Sequence, residues 1–390
     1  MVLGDRMKSV GIICEYNPFH NGHLYHLNKV KELFKDHTII LVMSGNFTER
    51  GETSILDKWD KTDIALTYGV DLVVELPFVF ASQSADIFAH GAIQILKALN
   101  VEYLVFGSET NDIKKLTEMA SIQVNNKTFD KIVTNYLDEG INYPTALSKA
   151  IFDLTHKKVS KPNDILGVTY IKEIIKQNAN IKPICIKRND NYNCTELSDF
   201  LSSATSIRHA IQNNVDVKNE VPDRTYHFLD KKLYFIDDYF PIIKYNILNN
   251  FNDLKKFQTV DEGIDARIRK YIVNSHSLKE LILKIKTKRY TYNKLNRMFT
   301  HIMCNFTKEE ANLFSDITYI RILGFNPTGR LYLNNIKKEV NIPIITNFSS
   351  IKDKMLDIEF RTTCVYASIL EETEKTKLIE SEYKNSPIIK

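Results

Sequence analysis

Glycine is scarce in this sequence: only 13 of its 390 residues are Gly, about half of the usual ~7%. Ten of these glycines precede residue 170. Glycine is needed mainly where the backbone turns sharply or approaches a ligand closely. We therefore expect the functional site in the first half of the chain.

Cysteine is also sparse, and its spacing excludes two classes of protein. No two of the five cysteines form a Cys-x-x-Cys pair; they are Cys14, Cys185, Cys194, Cys304 and Cys364. An odd number of widely spaced cysteines argues against a disulfide framework and against a cysteine zinc site. Such usage is typical of a reducing compartment, which predicts a cytoplasmic protein.

Long apolar runs are missing as well. No stretch reaches the ~18 apolar residues that span a bilayer, so we expect no membrane partner. The opening MVLGDRMKSVG lacks the apolar core of a signal peptide. Met7 is expected to be the natural first residue, which leaves residues 1–6 as an extension of unknown origin.

The composition that remains is that of an ordinary globular protein. Hydrophobic residues make up 43% of the chain and charged residues 26%, which excludes wholesale disorder. At roughly 100–200 residues per domain, the length predicts two or three domains. A net charge of +4 is too mild to indicate a nucleic-acid partner by itself.

In the first half of the chain, apolar runs that predict buried strands alternate with segments of helical spacing. The predicted strands are residues 10–14, 38–43, 71–76, 102–106 and 182–187. The predicted helices are residues 23–34, 57–68, 86–99, 164–176 and 203–213. This alternation predicts an α/β fold with a parallel sheet, and residues 111–160 are expected to form a helical insertion beside it.

The amino-acid composition of the chain changes near residue 228. Beyond it, aromatic and Lys-rich segments of helical pattern follow one another with few glycines. We therefore expect a domain boundary within 225–235. The α/β domain would span 7–228, and a mainly helical, basic domain would span 229–390.

Neither a Walker A motif nor GxGxxG is present, so P-loop and dinucleotide-binding interpretations lose their main support. The first predicted strand is instead followed by EYNPFHNGH, in which His20 and His23 flank Gly22. A helix that begins here would direct its first N–H groups and its dipole at an anion. The imidazoles can donate to oxygens that gain charge when a phosphorus atom is attacked. The alternative is a polar loop with surface histidines, and the paired spacing favours the nucleotide site.

A second candidate segment, SSATSIR, begins at Ser202 and ends at Arg208. Its hydroxyl groups are typical of helix caps. Arg208, which we place on the first turn, could clamp phosphates together with Thr205 and the helix N–H groups. Lys187 and Arg188 end the preceding strand and add positive charge, although a solvated strand end is nearly as good an interpretation.

Together, HxGH near the start and an SSxTxIR segment about 180 residues later resemble the nucleotidylyltransferase superfamily, whose enzymes attack the α-phosphate of ATP. The fuller strings GIICEYNPFHNGHLYH, MSGNFTERGE, KWDKTDIALTYGVDLVVELP, SQSADIFAHGA, LVFGSE and PNDILGVTY resemble the tRNA(Met) cytidine acetate ligase family. The motif match is dense from about residue 9 to 208 and looser through KTKRYT and GFN.

The resemblance implies a Rossmann-like nucleotidylyltransferase domain and a two-step ligation. Acetate attacks the α-phosphate of ATP to give acetyl-adenylate and pyrophosphate. The exocyclic amine of the wobble cytidine in elongator tRNA(Met) then takes the acetyl group, which leaves N4-acetylcytidine and AMP. Magnesium is the expected partner of the ATP phosphates, and no carboxylate in the sequence stands out as its ligand.

The expected catalytic residues are His20 and His23. The expected ATP-binding residues are carried over from the family's motifs, with Thr205 and Arg208 added from the second segment. They are Ile13, Cys14, Glu15, Tyr16, Asn17, Pro18, Phe19, His20, Asn21, Gly22, His23, Leu24, Tyr25, His26, Gly107, Asn163, Arg188, Thr205 and Arg208. Taken alone, Asn163 would be interpreted as a helix N-terminal residue, since it lies in the PND string.

A basic segment at residues 279–297 is the best local evidence for a tRNA partner. Seven cations face a single acidic residue there, and tyrosines lie among them. Cations pair with phosphates and tyrosines stack on unpaired bases. The expected tRNA-binding residues are Lys286, Lys288, Arg289, Tyr290 and Arg297. The alternative is a solvated basic helix.

Two other functions stay open. One is a nucleotidylyltransferase acting on a small cofactor precursor, against which the extra basic domain argues. The other is a non-catalytic RNA-binding module that retains a nucleotide pocket. The intact set of His20, Gly22, His23 and Arg208 argues against it, because a decayed site should have lost some of these residues.

Overall fold

The computed structural model describes residues 7–157, 160–188 and 203–390. Cys194 and Ser202 lie outside these residues. Within them, the chain forms an α/β fold around one twisted sheet. The strands are β1 (Ser9–Cys14), β2 (Thr38–Ser44), β3 (Leu72–Leu76), β4 (Tyr103–Ser108), β5 (Lys182–Lys187), β6 (Ile320–Phe325), β7 (Ile344–Ile345) and β8 (Ile388–Ile389).

Strand order within the sheet is β5-β4-β1-β2-β3-β6-β7, with β8 paired to β6. The first five strands are parallel to one another, as predicted from the alternation of strands and helices. Their carboxyl ends therefore meet at one edge of the sheet, which is where open α/β sheets bind ligands. β6 runs antiparallel to β3.

The helices of the first half include the predicted insertion, which forms α5, α6 and α7. These helices are α1 (Asn21–Leu33), α2 (Lys58–Thr67), α3 (Phe78–Ala81), α4 (Ala85–Ala98), α5 (Ile113–Asn125), α6 (Phe129–Asp138), α7 (Tyr143–Thr155), α8 (Pro162–Lys176), α9 (Ala204–Gln212) and α10 (Asp223–Phe228).

The second half is mainly helical, as expected. Its helices are α11 (Phe240–Asn249), α12 (Ile264–Ile272), α13 (Leu278–Ile285), α14 (Tyr292–Met303), α15 (Lys308–Asn312), α16 (Pro327–Ile336), α17 (Lys354–Ala367) and α18 (Glu372–Lys384). In the ranges that the structure describes, no helix is both long and apolar enough to span a bilayer.

Three strands from the second half join the same sheet, which the sequence did not predict. Because β6, β7 and β8 extend the sheet beyond β3, residues 229–390 do not form a layer separate from the α/β core. The predicted boundary at 228/229 therefore marks a change in composition, but strands from both sides of it belong to the same sheet.

A buried cluster of charges also joins the two halves. Lys58 of α2 lies 2.6 Å from Glu75 of β3 and 2.8 Å from Glu382 of α18. Arg321 of β6 contacts Glu75 at 3.0 Å and also pairs with Glu382. Glu359 of α17 completes the cluster 3.5 Å from Lys58. These side chains are almost fully buried, so the contacts hold the helices of the second half against the sheet.

Helix α14 packs against the loop that follows β2. The Thr300 hydroxyl donates to the carbonyl of Gly51 at 2.7 Å. A Cβ on Gly51 would lie 2.2 Å from the backbone nitrogen of Arg297, so only glycine allows the two segments to approach this closely. The φ of Gly51 is +72°, which also favours glycine. The basic segment thereby lies beside the site edge of the sheet.

Candidate active site

The turn from β1 to α1 is organised by its two histidines. His20 precedes the first residue of α1, and its Nδ1 accepts the N–H of Gly22 at 3.0 Å. The N–H of His20 in turn donates to Nδ1 of His23 at 3.3 Å. The N–H of Asn21 donates to the carbonyl of Glu220. The first amides of this helix are thus satisfied within the protein, and the expectation that they reach the ligand directly is corrected.

Each of the two imidazoles accepts a backbone N–H through its Nδ1. Each neutral ring therefore carries its proton on Nε2. Burial, together with the neighbouring His20 and the Arg188 guanidinium, lowers the pKa of His23 well below its usual value. The ring centroids of His20 and His23 lie 3.9 Å apart.

A cleft opens at the carboxyl ends of β1, β4 and β5, between the N-terminal turns of α1 and α8. It brings together nine of the predicted ATP-binding residues: Ile13, Cys14, Gly22, His23, Tyr25, His26, Gly107, Asn163 and Arg188. Lys187, expected only to add positive charge, also lines it. The sequence did not single out the remaining lining residues, which are Val105, Phe106, Leu166, Tyr170 and Ile186. A lining that combines polar groups with apolar walls suits a nucleotide.

Arg188 is held in this cleft by one group from β4 and one from α8. Its guanidinium donates to Oδ1 of Asn163 at 3.1 Å, and its backbone N–H donates to the carbonyl of Ser108 at 2.9 Å. The Asn163 side chain donates to Glu109 at 2.8 Å. The Glu109 carboxylate also accepts the N–H of Asp164 at 3.0 Å, so it caps α8 and fixes Asn163 toward Arg188.

His26 supplies a further polar atom to the cleft. Its Nε2 is buried and has no hydrogen-bond partner among the described residues, and the residue lines the cleft. Burial and the neighbouring Arg188 lower the pKa of His26 to about 4. A buried ring nitrogen without a partner is costly, so this atom fits a ligand that would satisfy it.

The other residues of the predicted segment hold the turn and do not line the cleft. Phe19 stacks on Tyr68, and Asn17 accepts the N–H of Ile55 at 2.8 Å. The Asn21 side chain donates to the carbonyl of Asn219 at 2.7 Å. Tyr16 is buried against the rings of Phe19 and His23, Leu24 packs on the core, and the bond from Asn17 to Pro18 is cis. His20, Pro18 and Glu15 likewise lie behind or beside the lining.

The predicted phosphate clamp on α9 is corrected. Ser203 caps this helix, as its hydroxyl type suggested, but Arg208 is the fifth residue of α9 and lies beyond its first turn. The guanidinium donates to the carbonyl of Asn17 at 2.8 Å and pairs with Glu52 at 2.6 Å. Arg208 therefore supports the turn, and Thr205 is exposed; neither lines the cleft.

Lys61 of α2 is a residue that the sequence analysis missed. It is fully buried, and its ammonium donates to the carbonyls of Glu15, Ser44 and Gly45 at 3.0, 2.9 and 2.7 Å. Lys61 therefore ties the ends of β1 and β2 together. Burial lowers its pKa to about 7. The signal was a pair of lysines three residues apart, Lys58 and Lys61, in the first turns of α2.

No metal site stands out in the described ranges, where no group of three or more His, Cys, Asp or Glu side chains could hold a metal ion. The residues present therefore do not form a dedicated magnesium cage.

The structure divides the predicted tRNA-binding residues. Lys286 and Lys288 are exposed. Arg289 donates to the carbonyl of Leu137 at 2.9 Å, and Arg297 donates to the carboxylate of Glu49 at 3.0 Å. Tyr290 is only 3% exposed and its hydroxyl donates to the carbonyl of Asp261, which corrects the expectation that its ring stacks on a base.

The fold and this site define a nucleotidylyltransferase. Residues 7–382 match the family model described as HIGH Nucleotidyl Transferase. More particularly, the chain belongs to the tRNA(Met) cytidine acetate ligase family. It is 42% identical over 400 residues to the protein of that name from Anoxybacillus flavithermus, covering 98% of this chain and 100% of the relative. It is 40% identical to the protein of the same name from Caldicellulosiruptor bescii, with 98% of each chain covered.

Solved structures agree with this assignment. The apo crystal structure of Thermotoga maritima TmcAL superposes with a TM-score of 0.91 at 32% identity, covering 98% of this chain and 99% of that one. The same protein bound with alpha-thio ATP superposes with a TM-score of 0.88 over the same shares.

Proposed function

We propose that this protein ligates acetate to the wobble cytidine of elongator tRNA(Met) at the expense of ATP, by way of acetyl-adenylate. The observation that carries the proposal is the cleft in which His23, Asn163 and Arg188 converge from three separate elements. Its support from relatives is a structure of similar fold bound with an ATP analogue.

In the first step, the cleft binds ATP with its α-phosphate near Nε2 of His23. Arg188 pairs with phosphate oxygens, and Asn163 keeps the guanidinium in place. Acetate is itself the nucleophile, so the protein has to position the reactants and stabilise charge at phosphorus. The Nε2–H of His23 donates to the oxygen that gains charge as acetate attacks and pyrophosphate leaves. His20 is buried behind His23 and acts as a positioning residue.

The nucleoside fits the apolar side of the cleft. Phe106, Leu166 and Ile186 provide walls against which a base can pack, and Gly107 leaves room beside the base. We infer that Mg²⁺ arrives on the phosphates of ATP, because hydrated magnesium is usually held through substrate phosphates and few protein ligands.

In the second step, the tRNA approaches from the side of the basic segment. Lys286 and Lys288 are exposed there, and Arg297 lies next to the loop that follows β2. We infer that Lys286 and Lys288 pair with phosphates near the anticodon loop and bring the cytidine to the acetyl-adenylate. Because tRNA, ATP and acetate meet in the cytoplasm, we also infer that the protein acts there.

The test is to incubate the protein with labelled acetate and ATP, with and without unmodified elongator tRNA(Met). We expect acetyl-adenylate without tRNA, and AMP with labelled N4-acetylcytidine when tRNA is added. Nucleotidyl transfer only to a phosphorylated small molecule would instead assign a cofactor-precursor enzyme. No turnover with any acceptor, together with retained tRNA binding, would leave an RNA-binding module.

A further inference from the structure

A chain of three residues leads from the edge of the cleft to the basic segment. Glu15 follows Cys14, which lines the cleft. One oxygen of Glu15, Oε1, accepts the N–H of Glu49 at 2.6 Å. The carboxylate of Glu49 accepts from Arg297 of α14 at 3.0 Å. Glu15 therefore connects the edge of the cleft, through Glu49, to the basic segment.

Glu15 is held firmly, but one of its oxygens is uncommitted. Its backbone carbonyl accepts from Lys61, and Oε1 is occupied by the Glu49 amide. In the part of the chain that the structure describes, Oε2 accepts no hydrogen bond. The residue as a whole is half-buried, beside Cys14 of the cleft lining.

Resting on the proposed function, we propose that Glu15 is the proton acceptor of the second step. The N4 amine of the cytidine attacks the acetyl carbonyl carbon, and a C–N bond forms. The bond between that carbon and the phosphate oxygen breaks, and AMP leaves with its electron pair. One amine proton moves to Oε2 of Glu15 and then to solvent, so the step needs no further reactant.

The other groups near the reaction cannot take this proton as well. The imidazoles of His20 and His23 already carry a proton on Nε2 and use Nδ1 to accept backbone N–H groups. Burial lowers the pKa of His26 to about 4, which makes it a weak base. Burial raises the pKa of the Cys14 thiol to about 12, so this thiol stays neutral.

The surroundings of Glu15 suit a base that works near neutral pH. Burial raises its pKa to about 7, the Glu49 carboxylate also raises it, and the Glu49 amide, Arg50 and Lys61 act in the opposite direction. A base is most effective when its pKa lies near the working pH. The titratable and charged groups that face it from the neighbouring elements are Cys14, Glu49, Arg50, Lys61 and Tyr170, with Arg297 behind Glu49.

The experiment separates the two steps in the full-length protein. Acetate-dependent ATP–pyrophosphate exchange reports the first step, and single-turnover transfer from preformed acetyl-adenylate to tRNA reports the second. In Glu15→Gln, the amide oxygen still accepts the Glu49 N–H, but the base is lost. We expect exchange within about threefold of wild type and transfer slower by ~10²–10⁴-fold, the usual contribution of a general base.

The pH profile gives a readout that a merely structural role would not change. Transfer by the wild type should rise with pH through about 7, as Glu15 loses its proton, and this rise should be absent in Glu15→Gln. Glu32→Gln is the matched control, because it removes an exposed carboxylate of α1 whose only ion pair among the described residues is with Lys29 on the helix surface. This control should retain both the transfer rate and the pH profile.

Two outcomes would overturn the assignment of Glu15. One is an unchanged rate of acetyl transfer in Glu15→Gln. The other is a loss of the exchange rate in Glu15→Gln as large as the loss of the transfer rate. If Glu15→Gln gives no folded protein, Glu15→Asp is tested instead. A shift in the pH at which the transfer rate rises, with intact exchange, supports the proposal, and an unshifted pH profile overturns it. Absence of acetate-dependent exchange in the wild type would instead contradict the proposed function itself.

Discussion

The side chain of Arg188 passes directly over Gly107, and a Cβ built on the glycine would lie 2.8 Å from Cδ and 2.9 Å from Cγ of the arginine. Gly107→Ala therefore has to displace Arg188 from its contact with Asn163. We expect the KM for ATP in acetate-dependent exchange to rise about tenfold, which corresponds to ~1.4 kcal/mol, while kcat changes less.

A double-mutant cycle tests whether the effect passes through the arginine. In an Arg188→Ala background, the methyl group that Gly107→Ala introduces no longer meets the arginine side chain, so adding this substitution should raise KM little further. Additive effects of the two substitutions would show that Gly107 acts independently of Arg188, for example by contacting the nucleoside directly.

His23→Ala should slow the first step far more than it weakens ATP binding. The Nε2–H of His23 is directed by the backbone donor on its Nδ1 and is used mainly as charge develops at phosphorus. Loss of one such donor costs about 10²–10³ in rate. Exchange kinetics and ATP titration measure the two effects. The control is His37→Ala, which removes a partly buried imidazole just before the amino end of β2. Unaltered turnover in His23→Ala would remove His23 from the catalytic role.

The exposed lysines of the basic segment should determine the salt dependence of tRNA binding. Each phosphate contact contributes a slope of about −0.7 to −0.9 in log K against log salt. We expect Lys286→Ala with Lys288→Ala to reduce the magnitude of the slope by about 1.4–1.8. The matched control is Lys337→Ala with Lys338→Ala. These exposed lysines follow α16, which packs at the opposite edge of the sheet through Tyr332 and Ser9. Equal slopes for both double variants would place the tRNA elsewhere.

The parallel part of the fold was predictable because its strands are uninterrupted apolar runs. β1 to β5 and helices α1, α2, α4 and α8 lie within a few residues of the predicted bounds. β6 was missed because Arg321 interrupts its apolar run, and this arginine is buried only because Glu75 and Glu382 pair with it. β7 and β8 have two residues each, too few for a periodic pattern.

The histidine turn was predicted from a local motif, and Gly107 and Arg188 from the resemblance to the family, whereas contacts between distant segments left no signal in the sequence. The histidine turn, Gly107 and Arg188 lie together in the cleft. The positions of Arg208 and Tyr290 depend on long-range contacts with Asn17 and Asp261. A basic or aromatic side chain looks available to a ligand in sequence until such a partner occupies it.

The buried charge cluster should govern the stability of the whole chain. Two cations there face three carboxyl groups, and burial raises the pKa of Glu359 to about 8. Glu359 therefore carries a proton at neutral pH, and the remaining charges balance. Lys58→Met would leave carboxylates buried without their cation, which costs about 3–5 kcal/mol. This is a large share of the free energy of unfolding of a typical protein, which is ~5–15 kcal/mol.

Urea unfolding, followed through the fluorescence of the single tryptophan, measures this loss. Trp59 is adjacent to Lys58 and donates to the Ser381 hydroxyl at 2.8 Å, so it reports the docking of α18. Glu359→Gln is the contrasting variant. The folded-state pKa of Glu359 lies above the unfolded value, so the wild-type carboxyl destabilises the fold progressively as pH rises from about 4.5 to 8. We therefore expect the free energy of unfolding of Glu359→Gln to match that of wild type at low pH and to exceed it at pH 8. If Glu359→Gln instead loses as much stability as Lys58→Met, Glu359 is charged in the folded protein.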